Sequence, residues 1–509
     1  MSNPSGGDGS SALSGSARWR QTGAEPIMAE QISARGQWGM IAAAAPTAAL
    51  IGAEALREGG NAYDAAVAAA LAETVLLPPK CGLGGDLIAL VWQAGASAPE
   101  ALLAIGGAPA GLAAAAAEGR MGETGPCSIG APGAPMGYLA LAGRGRLNPQ
   151  RLAAPAIAMA RRGFAWSRIC SVLCEESRAL VAAMNPEGSI YYPGGYDGAV
   201  IAPGTPVALP GMAAMLEEWV ARGEGFFAGP VGEAVARRVA RAGGVLTQAD
   251  LMSARADWMP AIAAGLGDNR LHVTPLPTHG ASLADAVAGI DAASAADQPR
   301  VYRAVVEAIA RRRRDLSGIA GTSMVTAADA DGTMVTIIHS NSYPRFGSGL
   351  IVGDYDLILA NRAGRGFNAV PGHPNFPEPG RRPITTLHAW AVGLADGTRL
   401  LGATPGGANQ MPWNAQTLAR IAAGESDPGR LIAAGGDLGA HAAPVDDGVQ
   451  RDDRRVGKGE GQGLAVVQCF ARVGQAHAFQ QRGALCEGRT LEAGEETQRF
   501  QPVQVVVQH

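Results

Sequence analysis

GTSMVTAADADGTMVTIIHSNSYPRFGSG, residues 321–349, is the stretch in which the chain changes period. Its apolar runs at 324–325 and 334–338 are short and flank an Asp331-Gly332 turn, a pattern of paired strands. Runs of the same kind follow at 350–352 and 357–359. Upstream, residues 152–162, 212–222, 231–242 and 302–316 carry apolar side chains at three- and four-residue spacing and predict helices. A helix-rich segment followed by a β-rich one makes an α+β chain. Farther out, the Ala-rich stretch 46–77, broken at Gly59-Gly60-Asn61, predicts two helices joined at a glycine C-cap. Residues 39–45, 87–92 and 101–105 read as buried strands. Residues 1–35 read as a flexible leader. Beyond Glu425 polar residues and glycine displace the apolar pattern until VQVVV at 503–507.

The chain has 509 residues, 47% hydrophobic and 17% charged, enough apolar material for one large core or two modest ones. Its 71 glycines follow no fixed period, which excludes collagen and simple linkers. A formal charge of −4 supplies no basic field, so a small molecule fits better than nucleic acid or an anionic membrane. The run Arg311–Arg314 is the one strong cationic cluster and reads as a solvated helix face. Six cysteines contain no CxxC pair, and the histidines show no HxxxH or HxH spacing. Neither a metal nor another cofactor is expected. The first twenty residues hold no apolar segment of signal-peptide or anchor type, so a cytoplasmic location is expected. A GxSxG elbow is missing, which removes the usual serine-hydrolase reading.

Several motifs occur together. GGNAYDAAVAAALAETVLLPP (59–79) precedes CGLGGDLIALVW (81–92), and APGAP (131–135), PAIAMARRGFAWS (155–167), FFAGPVGEAVARRVARAGGVLTQADL (226–251) and LPTHG (276–280) follow in order. After residues 321–349 come LANRAGRGFN (359–368), PGHPNFPEPGRRPITTL (371–387) and TPGGANQ (404–410). In this combination the chain resembles the gamma-glutamyltranspeptidase family from about residue 39 to 424. The resemblance implies a four-layer αββα sandwich of the N-terminal nucleophile hydrolase type. It also implies a precursor that cuts itself between Gly321 and Thr322, with Ser323 where the family has a second threonine. The implied division is a leader (1–35), a large subunit (36–321), a small-subunit core (322–424) and a divergent tail (425–509). The two cleaved chains would stay together as a heterodimer, alone or as a dimer of heterodimers.

The chemistry explains why cleavage is needed. A threonine hydroxyl attacks poorly until a base takes its proton, and a free α-amino group, with a reference pKa of about 7.7 to 8.0, suits that task near neutral pH. Inside a peptide bond the same nitrogen is delocalised and cannot act as a base. Thr322 would therefore become nucleophile and base together. The resemblance implies Gly406 and Gly407 as the oxyanion site, where backbone N–H groups approach closely; a plain turn after a strand is the other reading. Ser340 matches a hydroxyl residue that supports the nucleophile, and Asn341 beside it could hold the substrate amide. Thr385 and Thr386 match a hydroxyl pair contacting the substrate carboxylate; an exposed strand face is the alternative.

Two departures bear on the substrate. Where the family holds the α-carboxylate with an arginine from an Arg-Glu-x-Ala-Pro segment, this chain reads IGGAP at 105–109. The loop Gly364-Arg365-Gly366-Phe367 also lacks the acid that binds the α-amino group. Losing a charged partner in a desolvated pocket costs several kcal/mol, roughly the scale of glutathione recognition. Arg362 and Arg365 instead bring positive charge, which suits a small carboxylated amide without an amine, as in oxamate amidohydrolases and acylases; a solvated loop is the alternative. Ordinary glutathione hydrolysis or gamma-glutamyl transfer stays a rival, and so does an unprocessed binding protein. The tail from 425 has two readings, a stretch out of frame with the family or a divergent ending.

Overall fold

The computed structural model describes residues 33–36, 38–288, 290, 300, 301, 303–305, 307, 308, 322–407, 410–433, 469–473 and 503–507. Gly321, the Arg311–Arg314 run and most of the leader and tail lie outside the described residues. So does much of the helix expected at 302–316.

Two antiparallel sheets organise the described chain. In chain order their strands are β1 (Ser33–Gly36), β2 (Gly39–Ala43), β3 (Asp86–Trp92), β4 (Glu100–Ala104), β5 (Asp257–Pro260), β6 (Ile262–Leu266) and β7 (Asn269–Val273). Then come β8 (Ser323–Asp329), β9 (Met334–Ser340), β10 (Ala389–Gly393), β11 (Arg399–Ala403), β12 (Cys469–Val473) and β13 (Val503–Val507). One sheet has six strands in the order β2-β8-β9-β3-β4-β5, and the other has seven, β1-β13-β12-β11-β10-β7-β6. Both sheets mix strands from either side of residue 321. The VQVVV run is thus a strand, joined by one at Cys469–Val473. A further strand, Ser33–Gly36, straddles the end of the segment read as leader and pairs with β13.

β3 and β8 are buried along their whole length, and their side chains alternate between two clusters. Leu87, Ala89, Val91, Val325 and Ala327 join the helices on one side. Ile88, Leu90, Trp92, Met324 and Ala328 meet Leu387, Ala389, Ala391, Leu401 and Ala403 of the other sheet's region. The first cluster holds helices α1 (Pro46–Arg57) and α2 (Ala62–Leu76), with α3 (Ala134–Ala142), α4 (Pro149–Arg162) and α5 (Pro210–Arg222). A third cluster packs α6 (Gly280–Val287) and α8 (Gln410–Ala422) against β7, β10 and β11. Between these helices in sequence lies the short α7 (Arg362–Gly366).

α2 is buried at every residue and starts from a capping box: Asn61 Oδ1 accepts from Tyr63 N and Asp64 N, and Asp64 Oδ2 accepts from Asn61 N. Its alanines let neighbours come close; a Cβ on Gly52 of α1 would lie 2.9 Å from Ala65 O. The break between α1 and α2 is made by Gly59 at φ +92°. No helix among the described residues is long and apolar enough to cross a membrane.

Candidate active site

Thr322 stands one residue before β8 and is 3% exposed. By the strand's alternation it shares a face with Met324, toward the other sheet, whereas Ser323 turns to the α2 side. The Thr322 hydroxyl oxygen accepts a hydrogen bond from Gln410 Nε2 at 2.9 Å. Gln410 opens α8 and is fully buried, and its Oε1 has no hydrogen-bond partner among the described residues. Gly406 and Gly407, in the loop between β11 and α8, take φ +133° and +60°. A Cβ on Gly406 would lie 2.2 Å from Trp413 Cζ3, so this loop fits no side chain there.

Ser340 ends β9 with its hydroxyl accepting from Ser342 N at 2.8 Å. Ser323 lies opposite His339 in the β8–β9 ladder; one step further sets Thr322 across from Ser340. Asn341 donates from Nδ2 to Pro78 O at 3.0 Å and from N to Lys80 O at 2.9 Å. Its buried Oδ1 has no partner among the described residues, and neither has the hydroxyl of Ser342 at φ +73°.

On the other side of Ser340 the ladder brings Asp86. Asp86 Oδ2 accepts from Arg362 Nε at 2.5 Å and Oδ1 from Gly106 N at 2.9 Å. Both side chains of this ion pair are about as buried as the core, 3% and 2% exposed, and Arg362 Nη2 has no partner among the described residues. Arg365 donates to Glu123 at 2.5 Å, and burial pulls its guanidinium below its usual range despite Glu123. Each loop arginine is therefore paired with a carboxylate, and Arg362 keeps one edge to offer.

Thr385 and Thr386 precede β10 and are each 1% exposed, which removes the exposed-strand alternative. The Thr385 hydroxyl accepts from Leu387 N at 3.2 Å, and the Thr386 hydroxyl has no partner among the described residues. The structure brings together Thr322, Ser340 and Gln410. Thr385 N donates to Pro277 O at 3.1 Å, and Leu387 beside the pair belongs to the inter-sheet cluster.

Sequence reasoning passed over Gln410, Asp86 and Glu73. The signals were present: Gln410 closes the TPGGANQ motif, Asp86 closes CGLGGD, and Glu73 is a carboxylate in the middle of an alanine-rich stretch. Glu73, Cys81 and His339 present ligand atoms within 4.8 Å of one another. Hydrogen bonds account for all three, since His339 Nε2 meets Glu73 Oε2 at 2.9 Å and Cys81 Sγ donates to Glu73 O at 3.7 Å. Burial raises the thiols of Cys170 to about 11 and Cys174 to about 12, which leaves them poor nucleophiles. A surface groove of about 510 Å³ between α4 and α5, lined by Ile157, Arg161 and Glu217, contains none of the candidate residues.

Residues 48–316 and 290–449 match the family model described as Gamma-glutamyltranspeptidase. The chain is 32% identical to glutathione hydrolase 3 of Arabidopsis thaliana over 248 residues, 48% of this chain and 38% of that protein. It is 28% identical to the oxamate amidohydrolase proenzyme of Klebsiella pneumoniae subsp. pneumoniae over 414 residues, 70% of this chain and 76% of that protein. With the Acylase ACY 1 proenzyme of Pseudomonas sp. (strain V22) it shares 28% identity over 444 residues, 73% and 79% of the two. The solved cephalosporin acylase from Bacillus halodurans aligns with a TM-score of 0.66 at 25% identity, covering 76% of this chain and 81% of that one. With a family model matching most of its length, the chain belongs to the gamma-glutamyltranspeptidase family and is a hydrolase of amide C–N bonds.

Proposed function

We propose that the chain is a self-cleaving N-terminal threonine hydrolase that opens the amide bond of a small carboxylated substrate, of the oxamate or acylase kind. Its frame would be the four-layer αββα sandwich of N-terminal nucleophile hydrolases. The observation that carries this reading is the buried Thr322 hydroxyl at the head of β8, held by Gln410 Nε2 at 2.9 Å. An oxygen that accepts from an amide leaves its own hydrogen to give away.

In maturation, Thr322 Oγ attacks the Gly321 carbonyl carbon, the Gly321–Thr322 C–N bond breaks, and the Thr322 nitrogen takes the proton as an ester forms. Water then splits the ester, returning the hydroxyl and leaving a carboxylate on Gly321. In turnover the freed amine takes the hydroxyl proton, Oγ attacks the substrate carbonyl, and the proton passes to the leaving amine. Water releases the acyl group in the same way. Backbone N–H groups at Gly406 and Gly407 and the start of α8 would stabilise the oxyanion. The open edge of Arg362 would take the substrate carboxylate, with Thr385 and Thr386 beside it. Asn341 would meet the amide, and Ser340 would support the nucleophile from the neighbouring strand.

The large chain would span 36–321 and the small-chain core 322–424. They would stay associated, because β8 and β9 of the small chain ladder between β2 and β3 of the large one. Glutathione hydrolysis, favoured by the Arabidopsis relative, is the second reading; the missing charged head-group residues weigh against it.

The test is an intact-mass spectrum of the purified protein, followed by oxamate and glutathione assays. Two chains, the smaller beginning at Thr322, with ammonia released from oxamate and no glutamate from glutathione, are expected. A single full-length mass with no turnover would leave an unprocessed binding protein, and glutamate release would overturn the substrate class.

A further inference from the structure

We infer that Glu73 is a positioning residue for the nucleophile, acting from the opposite face of the sheet through the Ser323 hydroxyl. This rests on the assignment of Thr322 as nucleophile.

Glu73 lies in the alanine-rich α2 and is fully buried. Four donors converge on it. Oε1 accepts from Ala44 N at 2.6 Å and Ala45 N at 3.3 Å, and Oε2 from Ser323 Oγ at 2.8 Å and His339 Nε2 at 2.9 Å. His339 Nδ1 meets Tyr138 OH at 2.6 Å. With Nε2 donating to the carboxylate, Nδ1 can accept from the Tyr138 hydroxyl, which holds the imidazole between the two.

These contacts share one place. Ala44 and Ala45 follow β2, Ser323 begins β8 and His339 is the penultimate residue of β9, so one carboxylate ties three adjacent strands at the end where Thr322 sits. Ser323 and His339 are direct partners across the ladder. Thr322 is next to Ser323 but on the other face.

After cleavage Thr322 becomes a chain end, and chain ends fray unless tied down. A misplacement of about 1 Å at a reacting atom can cost on the order of a hundredfold in rate. The Ser323 hydroxyl bound to Glu73 is the last side-chain tie before that end. A buried carboxylate carries a desolvation cost of several kcal/mol even with four donors and the buried Lys80 near it, and an apolar side chain would usually serve plain stability as well. The Cys81 sulfur beside it faces the backbone carbonyls of Glu73 and Leu77, at 3.7 and 3.8 Å.

The experiment uses full-length Ser323→Ala, Ser323→Thr, Glu73→Gln and the Ser323→Ala/Glu73→Gln double variant, with Thr322→Ala alongside. Two readouts are taken: the first-order rate at which precursor yields the chain beginning at Thr322, and kcat and KM with oxamate. Ser323→Ala is expected to slow self-cleavage and lower kcat about tenfold, with KM within about twofold of the parent. Ser323→Thr keeps the hydroxyl and should restore both rates. The double variant should be no slower than Glu73→Gln, since both changes cut one connection. Parental rates in Ser323→Ala, or losses that multiply in the double variant, would overturn the inference. If Thr322→Ala still cleaves itself, the nucleophile assignment fails first; if it is inert while Ser323→Ala runs at the parental rate, the assignment stands and the anchor falls.

Discussion

Gln410 reaches Thr322 from the first residue of α8, so its side chain reports on the nucleophile directly. Gln410→Ala removes the one donor seen on that oxygen, and a rate loss of roughly ten- to a hundredfold in self-cleavage and turnover is expected, in line with loss of a single oriented hydrogen bond. Rate assays on variant and parent check it; parental speed would show that the hydroxyl is oriented by something else. Asp86 makes a second residue-scale case. Asp86→Asn would put an amide against Arg362 Nε in a dry site, and breaking such a pair costs about 3 to 5 kcal/mol. Replacing both partners, Asp86→Leu with Arg362→Met, should recover most of that stability in denaturant unfolding while leaving oxamate hydrolysis lost, because the proposed carboxylate contact is gone. Thr322, Ser340 and the glycine pair were legible because motif order placed them. Gln410 and Asp86 were not, since their partners lie 88 and 276 residues away and no local pattern announces such contacts.

The loop between β11 and α8 is an element whose shape depends on one missing Cβ. Gly406→Ala would set a methyl 2.2 Å from Trp413 Cζ3 on a backbone at φ +133°, which costs on the order of 1 to 3 kcal/mol before any repacking. Turnover should fall further than stability alone accounts for, because the same loop offers the proposed oxyanion N–H groups. Gly59→Ala is the matched control: its φ of +92° is also left-handed, but nothing lies within 4 Å. It should lower stability by about 1 kcal/mol and leave activity unchanged. Unfolding curves and kcat for both variants separate the two effects. Elements themselves were readable from apolar or alanine-rich runs and the glycine, asparagine and aspartate between them, as in α1, α2 and the strands at 86–92 and 334–340. What pattern could not show was which face of a doubly buried strand meets which neighbour. For Thr385 and Thr386 pattern left a substrate-facing pair and an exposed strand face side by side, and both residues are buried ahead of β10. The strand at Cys469–Val473 follows the apolar run 464–467, a signal that reading the whole tail as polar passed over.

At the scale of the whole molecule, the joint between the two sheets should weaken in mild acid. His272 of β7 is 5% exposed and meets Trp92 of β3 edge to face, with ring centroids 5.3 Å apart, so it sits where one sheet packs on the other. Its Nδ1 has no partner among the described residues, and burial, with Arg270 nearby, lowers its pKa below the ordinary value of 6.5. The unfolded chain therefore takes up a proton near pH 6.5 that the folded one refuses. The contribution is fully present above that pH and is lost progressively as pH falls toward the lower, folded value. His272→Phe keeps an aromatic ring against Trp92 and cannot titrate. In a Thr322→Ala background, which keeps both sheets in one uncleaved chain, denaturant unfolding at pH 7.5 and 5.5 should show a smaller acid loss for His272→Phe than for His272. At pH 7.5 the phenylalanine variant should also equal or exceed its parent, since an unpaired buried nitrogen costs roughly 1 to 3 kcal/mol. Identical pH slopes would place the acid sensitivity elsewhere and leave His272 as packing alone.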